Sequence, residues 1–201
     1  MLTAQMALLA SAGLGGAPVR AATLTVQVQG RSGQPLADAV LMLDPLGAKP
    51  APRPATPVDI AQDGRQFVPL VTVVPVGTAV NFPNRDRVQH HVYSFSAAKK
   101  FEIKLYFGKP ATPIVFDQAG VVVLGCNIHD QMVGWVLVSD SAWSAKTGAN
   151  GQASWADLPA GNYRLRSWHP DLPAGAPWPE QTLSLGAAPM AASVRLEAGL
   201  K

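Results

Sequence analysis

Apolar and polar residues alternate along most of this chain in short runs, each closed by Gly, Pro or Asn-Asp punctuation. TLTVQVQ (23–29), AVLMLD (39–44), FVPLVTVVPV (67–76), TAVNF (78–82), HVYSFS (91–96), FEIKLYF (101–107), PIVFD (113–117), VVVLG (121–125) and GWVLVS (134–139) read as strands. Helical periodicity is almost absent. Roughly a dozen strands at this spacing predict an all-β protein, built as one sandwich or two.

The punctuation divides the chain. Asp44-Pro45-Leu46-Gly47 reads as a turn and opens a Pro/Ala-rich stretch, AKPAPRPATP (48–57), with the character of a linker. After Ser141 turn signals recur at Gly148, Gly151 and Pro159-Ala160-Gly161. The segment VQGRSGQPLADAVLML (28–43) resembles the opening hairpin of carboxypeptidase-regulatory-like, transthyretin-type sandwiches. TGANGQASWADLPAGNYRLRS (147–167) resembles the closing half of the same small domain. Neither half alone supplies enough strands for a stable sheet. The expectation is one small β-sandwich, residues 23–48 plus 143–201, split by an inserted domain of residues 49–142. A surface loop whose ends lie close together tolerates such an insertion. The alternative is that both flanks add strands to a single larger sandwich.

Composition sets the compartment. With 201 residues and 48% apolar content the chain can bury a substantial core. Its net charge of +3 comes from 16 basic and 13 acidic residues, scattered with no basic run longer than Lys99-Lys100. That balance does not suit nucleic acid, and it fits an acidic protein partner. The N-terminus, MLTAQMALLASAGLGGAPVRAATLTV, is apolar from Ala7 to Gly16 and then meets a small-residue site at Val19-Arg20-Ala21-Ala22. Residues 1–22 therefore read as the remnant of a secretory signal peptide, without the usual Lys or Arg before the apolar run. No segment reaches the ~20 apolar residues that span a bilayer, so no stable membrane insertion is expected. The mature protein is placed in a periplasm. A single cysteine, Cys126, cannot form an internal disulfide there. It must be buried, paired with another chain, or bound to a metal.

The sequence around that cysteine favours the metal. CNIHDQM (126–132) offers thiolate, imidazole and thioether from Cys126, His129 and Met132 within one seven-residue loop. Thiolate, two imidazoles and a weak axial Met make the trigonal site of blue copper. The second imidazole is available upstream in NRDRVQHHVYS (84–94). One distant His and a Cys-x2-His-x2-Met loop between two strands resemble the cupredoxins, and the short loop is similar to that of amicyanin. VVPVGTAVNFPNRD (73–86) is similar to the strands and Asn that lead to the first His, and GVVVLGC (120–126) to the strand entering the Cys. The chain most resembles cupredoxin-like proteins known as methylamine utilization proteins, through HHVYSFS, LGCNIHD and LPAGNYRLRSWHP. The resemblance implies a cupredoxin Greek-key β-sandwich, inserted in or packed against the small one. It implies one type 1 copper ion held by His90, Cys126, His129 and Met132.

Two adjacent histidines compete for the upstream place. In a strand they face opposite sides, so only one can join the loop ligands. The cupredoxin pattern counted from Asn84 selects His90 and leaves His91 in a supporting position usually held by Asn. Strand parity favours His91, which shares its face with Tyr93 and Phe95, read as core-forming. A bulge beside the site shifts parity by one and favours His90. His169, in Trp168-His169-Pro170, reads as structural. Asp130 reads as a solvated turn residue beside His129, and Trp135, Phe82, Tyr93, Phe101 and Tyr106 read as core.

These expectations converge on a blue copper protein that carries single electrons between redox partners and is not an enzyme. No Ser/His/Asp set, phosphate loop or carboxylate pair is present. His129 is expected to present its ring edge within an apolar patch of Ile128, Val133 and Pro83. Partners of the cytochrome c or dehydrogenase kind, met by a monomer, fit such a small transient surface. The alternatives are a copper-delivery protein and a structural zinc site in an interaction module. Delivery sites tend to be Met-rich, and of the five Met only Met132 lies near the motif.

Overall fold

The computed structural model describes residues 22–48, 50 and 55–199. Residues 1–21, where all but the last residue of the expected signal-peptide remnant falls, residues 49 and 51–54 of the expected linker, and residues 200–201 lie outside that set. Every regular element among the described residues is a strand, and no helix long and apolar enough to cross a membrane is present among them. Two strands lead, β1 (Ala22–Gln29) and β2 (Val40–Pro45). Ten follow: β3 (Val58–Asp59), β4 (Ala61–Asp63), β5 (Gln66–Val68), β6 (Val71–Pro75), β7 (Thr78–Asn81), β8 (His90–Ser96), β9 (Lys99–Tyr106), β10 (Ile114–Phe116), β11 (Gly120–Gly125) and β12 (Val133–Ser139). Five more are β13 (Trp143–Lys146), β14 (Gln152–Leu158), β15 (Gly161–Trp168), β16 (Glu180–Leu185) and β17 (Met190–Arg195). The run expected over 67–76 is two strands, broken at Pro69-Leu70, because Pro cannot donate to a ladder.

The strands pair across the chain rather than only with their neighbours. Sheets ordered β14-β1-β17 and β13-β2-β15-β16 enclose one core, with Leu24, Val26, Val28, Leu41, Leu43, Tyr163 and Leu165 inside. Sheets ordered β10-β7-β3 and β6-β12-β11-β8-β9 enclose a second core, with Phe67, Val80, Phe82, Val92, Phe116, Val122, Leu124 and Val136 inside. The first sandwich is thus made from both ends of the described chain, and the second from its middle.

A third apolar cluster joins them. Val40, Met42 and Trp168 on the outer face of the small sandwich meet Val71 and Leu137 on the outer face of the five-stranded sheet. β2 and β12 are therefore buried on both sides. Leu41 and Leu43 face one core while Val40 and Met42 face the junction, and Val136 and Val138 face the other core while Leu137 faces the junction. Double burial explains why VLML and WVLV are continuous apolar runs instead of alternating ones.

Where the junction ends, the outer face of the five-stranded sheet is open. Val121 packs into the junction, but Val123 is exposed, and Phe95 is 81% exposed. The expectation that Phe95 forms core is corrected here: its face of β8 looks outward past the edge of the small sandwich. Tyr93 on the same face lies over Gly125, where an added Cβ would fall 2.7 Å from the Tyr93 ring. Glycine at 125 lets β8 approach the residue before Cys126.

Candidate metal centre

Three features of local folding bring the site together. The first is the hairpin of β11 and β12, paired antiparallel with Gly125 opposite Val133. Its loop is the seven-residue CNIHDQM, tightened by Met132 N–H donating to the His129 carbonyl at 2.9 Å. Inward parity along β11 runs Val122, Leu124, Cys126, so the thiol enters the apolar core, 3% exposed. Met132 is 1% exposed in the same cluster, while His129 is half-buried and its neighbours Asn127, Ile128 and Asp130 are exposed.

The second is the facing of β8. Its pairing with β9 shifts register between His90 and Val92, yet alternation along the strand holds: His90, Val92 and Ser94 share the inward face, and His90 is fully buried. The parity expectation that favoured His91 fails because the face it shares with Tyr93 and Phe95 is the outward one. His91 points the other way, beside Tyr93 with ring centroids 5.6 Å apart. His91 is also buried. Its Nε2 lies 2.9 Å from a Glu102 carboxylate oxygen, and its Nδ1 has no partner. It makes no bond to the Cys126 loop.

The third is the turn ahead of β8, folded around Asn84. The Asn84 amide donates to the carbonyls of Val88 and Tyr106 at 2.8 and 2.9 Å, and its oxygen accepts from Asp86 N–H at 2.9 Å. Asp86 is thereby set beneath His90, with a carboxylate oxygen 2.7 Å from His90 Nε2. The same carboxylate accepts from the N–H groups of Gly64 and Arg65, at 2.8 and 2.9 Å, at the tip of the β4–β5 hairpin. Partial burial works to raise the Asp86 pKa. The N–H groups of Arg65 and Gly64 and the His90 ring outweigh it and hold the carboxyl below its ordinary value.

The result is a compact donor set. His90 Nδ1 and His129 Nδ1 each lie 4.0 Å from Cys126 Sγ, and ligand atoms of the three residues all fall within 4.8 Å of one another. The two rings sit 5.0 Å apart, tilted by 60°. One metal–sulfur bond of about 2.3 Å and one metal–nitrogen bond of about 2.0 Å together reach about 4.3 Å. Each 4.0 Å separation is shorter than that reach, so one ion fits between sulfur and both nitrogens. Two neutral imidazoles and a thiolate suit a borderline-soft transition metal and not Mg or Ca.

Tyr106 lies near enough to the site to feel the Cys126 sulfur. Its hydroxyl lies 2.7 Å from the Phe82 carbonyl and 2.9 Å from Gln62 Oε1, and the Gln62 amide donates to the His91 carbonyl. Burial, and then the charge of the nearby Cys126 sulfur, push the Tyr106 pKa well above its ordinary value. This hydroxyl stays protonated. His169 lies elsewhere, in the small sandwich after β15, where its Nδ1 accepts from Asp171 N–H at 3.1 Å. Asp130 and His91 also stay outside the donor cluster.

Asp86, Gln62 and Tyr106 were not singled out as supports by sequence reasoning. An acidic residue four before His90 is the only local signal for Asp86. Nothing local points to Gln62, which arrives from β4. Of the patch expected around His129, Ile128 is 45% exposed, whereas Val133 and Pro83 are half-buried. Val88 and Phe107, at 40% and 60% exposure, flank the Asn84 turn and add apolar surface there.

No family model matches the chain, and no curated protein does. Among solved structures it is similar to a purple cupredoxin from Nitrosopumilus maritimus, at 31% identity over 38% of this chain and 84% of that one, with TM-score 0.34. It is similar to amicyanin from Paracoccus versutus at 19% identity, over 49% of this chain and 98% of that one, with TM-score 0.36. A Cu-containing nitrite reductase from Thermus scotoductus SA-01 is similar at 25% identity and TM-score 0.40, over 48% of this chain. The match spans only 25% of that reductase's length.

Proposed function

We propose that this protein is a periplasmic blue copper protein of the cupredoxin type, in which His90, Cys126, His129 and Met132 hold one copper ion and the chain carries single electrons between redox partners. The observation that carries this reading is the convergence of two imidazole Nδ1 atoms on one buried sulfur, each at 4.0 Å. Copper in such a site supplies a one-electron couple between Cu(I) and Cu(II). Every other part of the task falls to the chain.

Burial of His90, Cys126 and Met132 in a close-packed core fixes the donors in one arrangement, so little has to move when the charge changes. The same burial leaves no room for a substrate beside the sulfur, which favours a carrier over an enzyme. It also disfavours delivery, which needs an open and incomplete donor set. His129 alone reaches toward solvent. Its half-exposed ring beside exposed Ile128 offers a short route from the sulfur to a partner surface. Arg85 and Arg87 are exposed in the neighbouring turn and suit an acidic partner such as a cytochrome c or a dehydrogenase.

We read residues 49–142 as the copper-binding unit, set into a small sandwich of residues 23–48 and 143–201. The small sandwich packs on the outer sheet face around Val71 and Leu137, while Asn127, Ile128 and Asp130 of the ligand loop are exposed. The protein is expected to act as a monomer. The test is the visible spectrum of the copper-loaded protein. An intense Cu–thiolate charge-transfer band that Cys126→Ser removes supports the reading, and a colourless protein that prefers zinc overturns it.

A further inference from the structure

Asp86 makes three contacts whose combination reaches beyond a loop staple. One oxygen accepts from Gly64 N–H, and the other accepts from Arg65 N–H and lies 2.7 Å from His90 Nε2. Gly64 and Arg65 both have positive φ, 61° and 59°, so the β4–β5 turn aims consecutive N–H groups at one point. The carboxylate is thus fixed by two backbone N–H groups as well as by the histidine. His90 has no exposed surface, and its ring has two nitrogens, one against Asp86 and one against Cys126. A proton on Nε2 is accepted by the carboxylate, and the lone pair on Nδ1 is then left facing the sulfur.

We infer that Asp86 is a positioning residue for the metal centre, which locks His90 in the Nε2–H tautomer and biases the site toward the more highly charged state of its metal. The inference rests on the copper reading for its redox part only. A carboxylate bonded to the far nitrogen makes the near nitrogen a stronger donor. A stronger donor stabilises Cu(II) more than Cu(I), because the extra electron density is worth more to the ion of higher charge. His129 has no such partner among the described hydrogen bonds, so the two imidazoles of the site are not equivalent.

The experiment has two arms. In the metal-free wild-type protein, long-range 1H–15N spectra of the imidazoles are expected to show His90 held with its proton on Nε2. A His90 that carries the proton on Nδ1, or exchanges between tautomers, overturns the inference whatever metal the site binds. In the copper-loaded protein, Asp86→Asn keeps the shape and removes the charge. Cu(II) affinity is expected to fall about 10–100-fold, as for other partners of ligating histidines, with a smaller fall for Cu(I). The reduction potential rises by about 59 mV for each tenfold of that difference. An Asp86→Asn protein that keeps its colour and its potential shows a staple only, and the inference fails. If the wild type gives no thiolate band, the copper reading fails, while the tautomer arm still decides the role of Asp86.

Discussion

Two sets of buried polar groups, one in each sandwich, are held in different ways. In the small one, Thr147 Oγ1 donates to the Leu36 carbonyl at 2.7 Å and accepts from Ala39 N–H at 3.0 Å. Asp44 accepts from Ser141 and from Arg166, each at 3.0 Å. In the larger one, two ring nitrogens face one sulfur at 4.0 Å, too long for a strong hydrogen bond. Buried polar groups are nearly always paired. A closely paired set braces the fold, whereas a convergent set with longer separations fits the proposed metal site. On that reading the contrast separates residues that hold the fold from residues proposed to hold an ion.

The sharpest way to break that contrast lies in the adjacent histidines. His90→Ala removes one of the three convergent donors and is expected to abolish the Cu–thiolate band. His91→Ala removes a ring that bonds Glu102 on the opposite face and is expected to leave the band in place, with a shifted maximum at most. Copper titration followed by absorbance checks both. If His91→Ala bleaches the protein and His90→Ala does not, the inward face of β8 is not the one that meets the cysteine loop and the contrast collapses.

The next largest effect belongs to the small sandwich. Asp44→Ala leaves the Arg166 guanidinium, itself largely buried, without its main carboxylate, although Asp140 at 3.2 Å still offers partial compensation. A loss of about 1–3 kcal/mol is expected from a stranded buried partner, read by urea denaturation of the metal-free protein. The spectrum of the folded, copper-loaded variant should not change. A variant that loses its colour while still folded would mean that the two sandwiches are not separable in function.

How far the sequence reveals this contrast depends on distance along the chain. Cys126, His129 and Met132 share one loop, so their spacing carries the motif without any knowledge of the fold. His90 and His91 are neighbours with the same chemistry, and what separates them is which face of β8 the fold turns inward, the one with Val92 and Ser94 and not the one with Phe95. Asp86 is legible only as a nearby acid, because its fixed orientation comes from Gly64 and Arg65, three strands earlier. Phe95 misleads for a similar reason. It alternates correctly with Val92 and Ser94, yet the small sandwich stops short of it. Alternation reports two faces; it does not say which one is covered, or how far.

A subtler change tunes the site without dismantling it. Met132→Gln replaces a weak thioether with a harder oxygen donor and is expected to keep the colour, alter its hue and lower the reduction potential, since oxygen favours Cu(II). In a carrier the wild type also exchanges electrons with a cytochrome c while keeping its copper, at rates that fall as salt screens the docking charges. Copper passing to a modest chelator faster than electrons pass to the cytochrome would reassign the protein to delivery.

The smallest effect tests the architectural half of the comparison through pH. Burial holds the His169 pKa below its ordinary value, against an opposing pull from Asp171 and the Ala37 carbonyl. The folded state therefore binds the proton less readily than the unfolded chain, whose histidine titrates near 6.5. Below that value the unfolded state carries more protons, and stability falls as the pH drops. The contribution is fully present above about pH 6.5 and is lost progressively as the pH descends toward the lowered folded value. His169→Gln keeps a polar side chain and removes the titration. Urea midpoints of wild type and variant are thus expected to diverge with pH, the wild type losing more stability than the variant between neutral and mildly acidic conditions. To keep the metal ligands from contributing, both proteins carry Cys126→Ser and are compared as the difference between them. Parallel curves across that range would show that His169 is not held neutral by the fold. The small sandwich would then have lost its clearest case of a histidine kept for structure and not for chemistry.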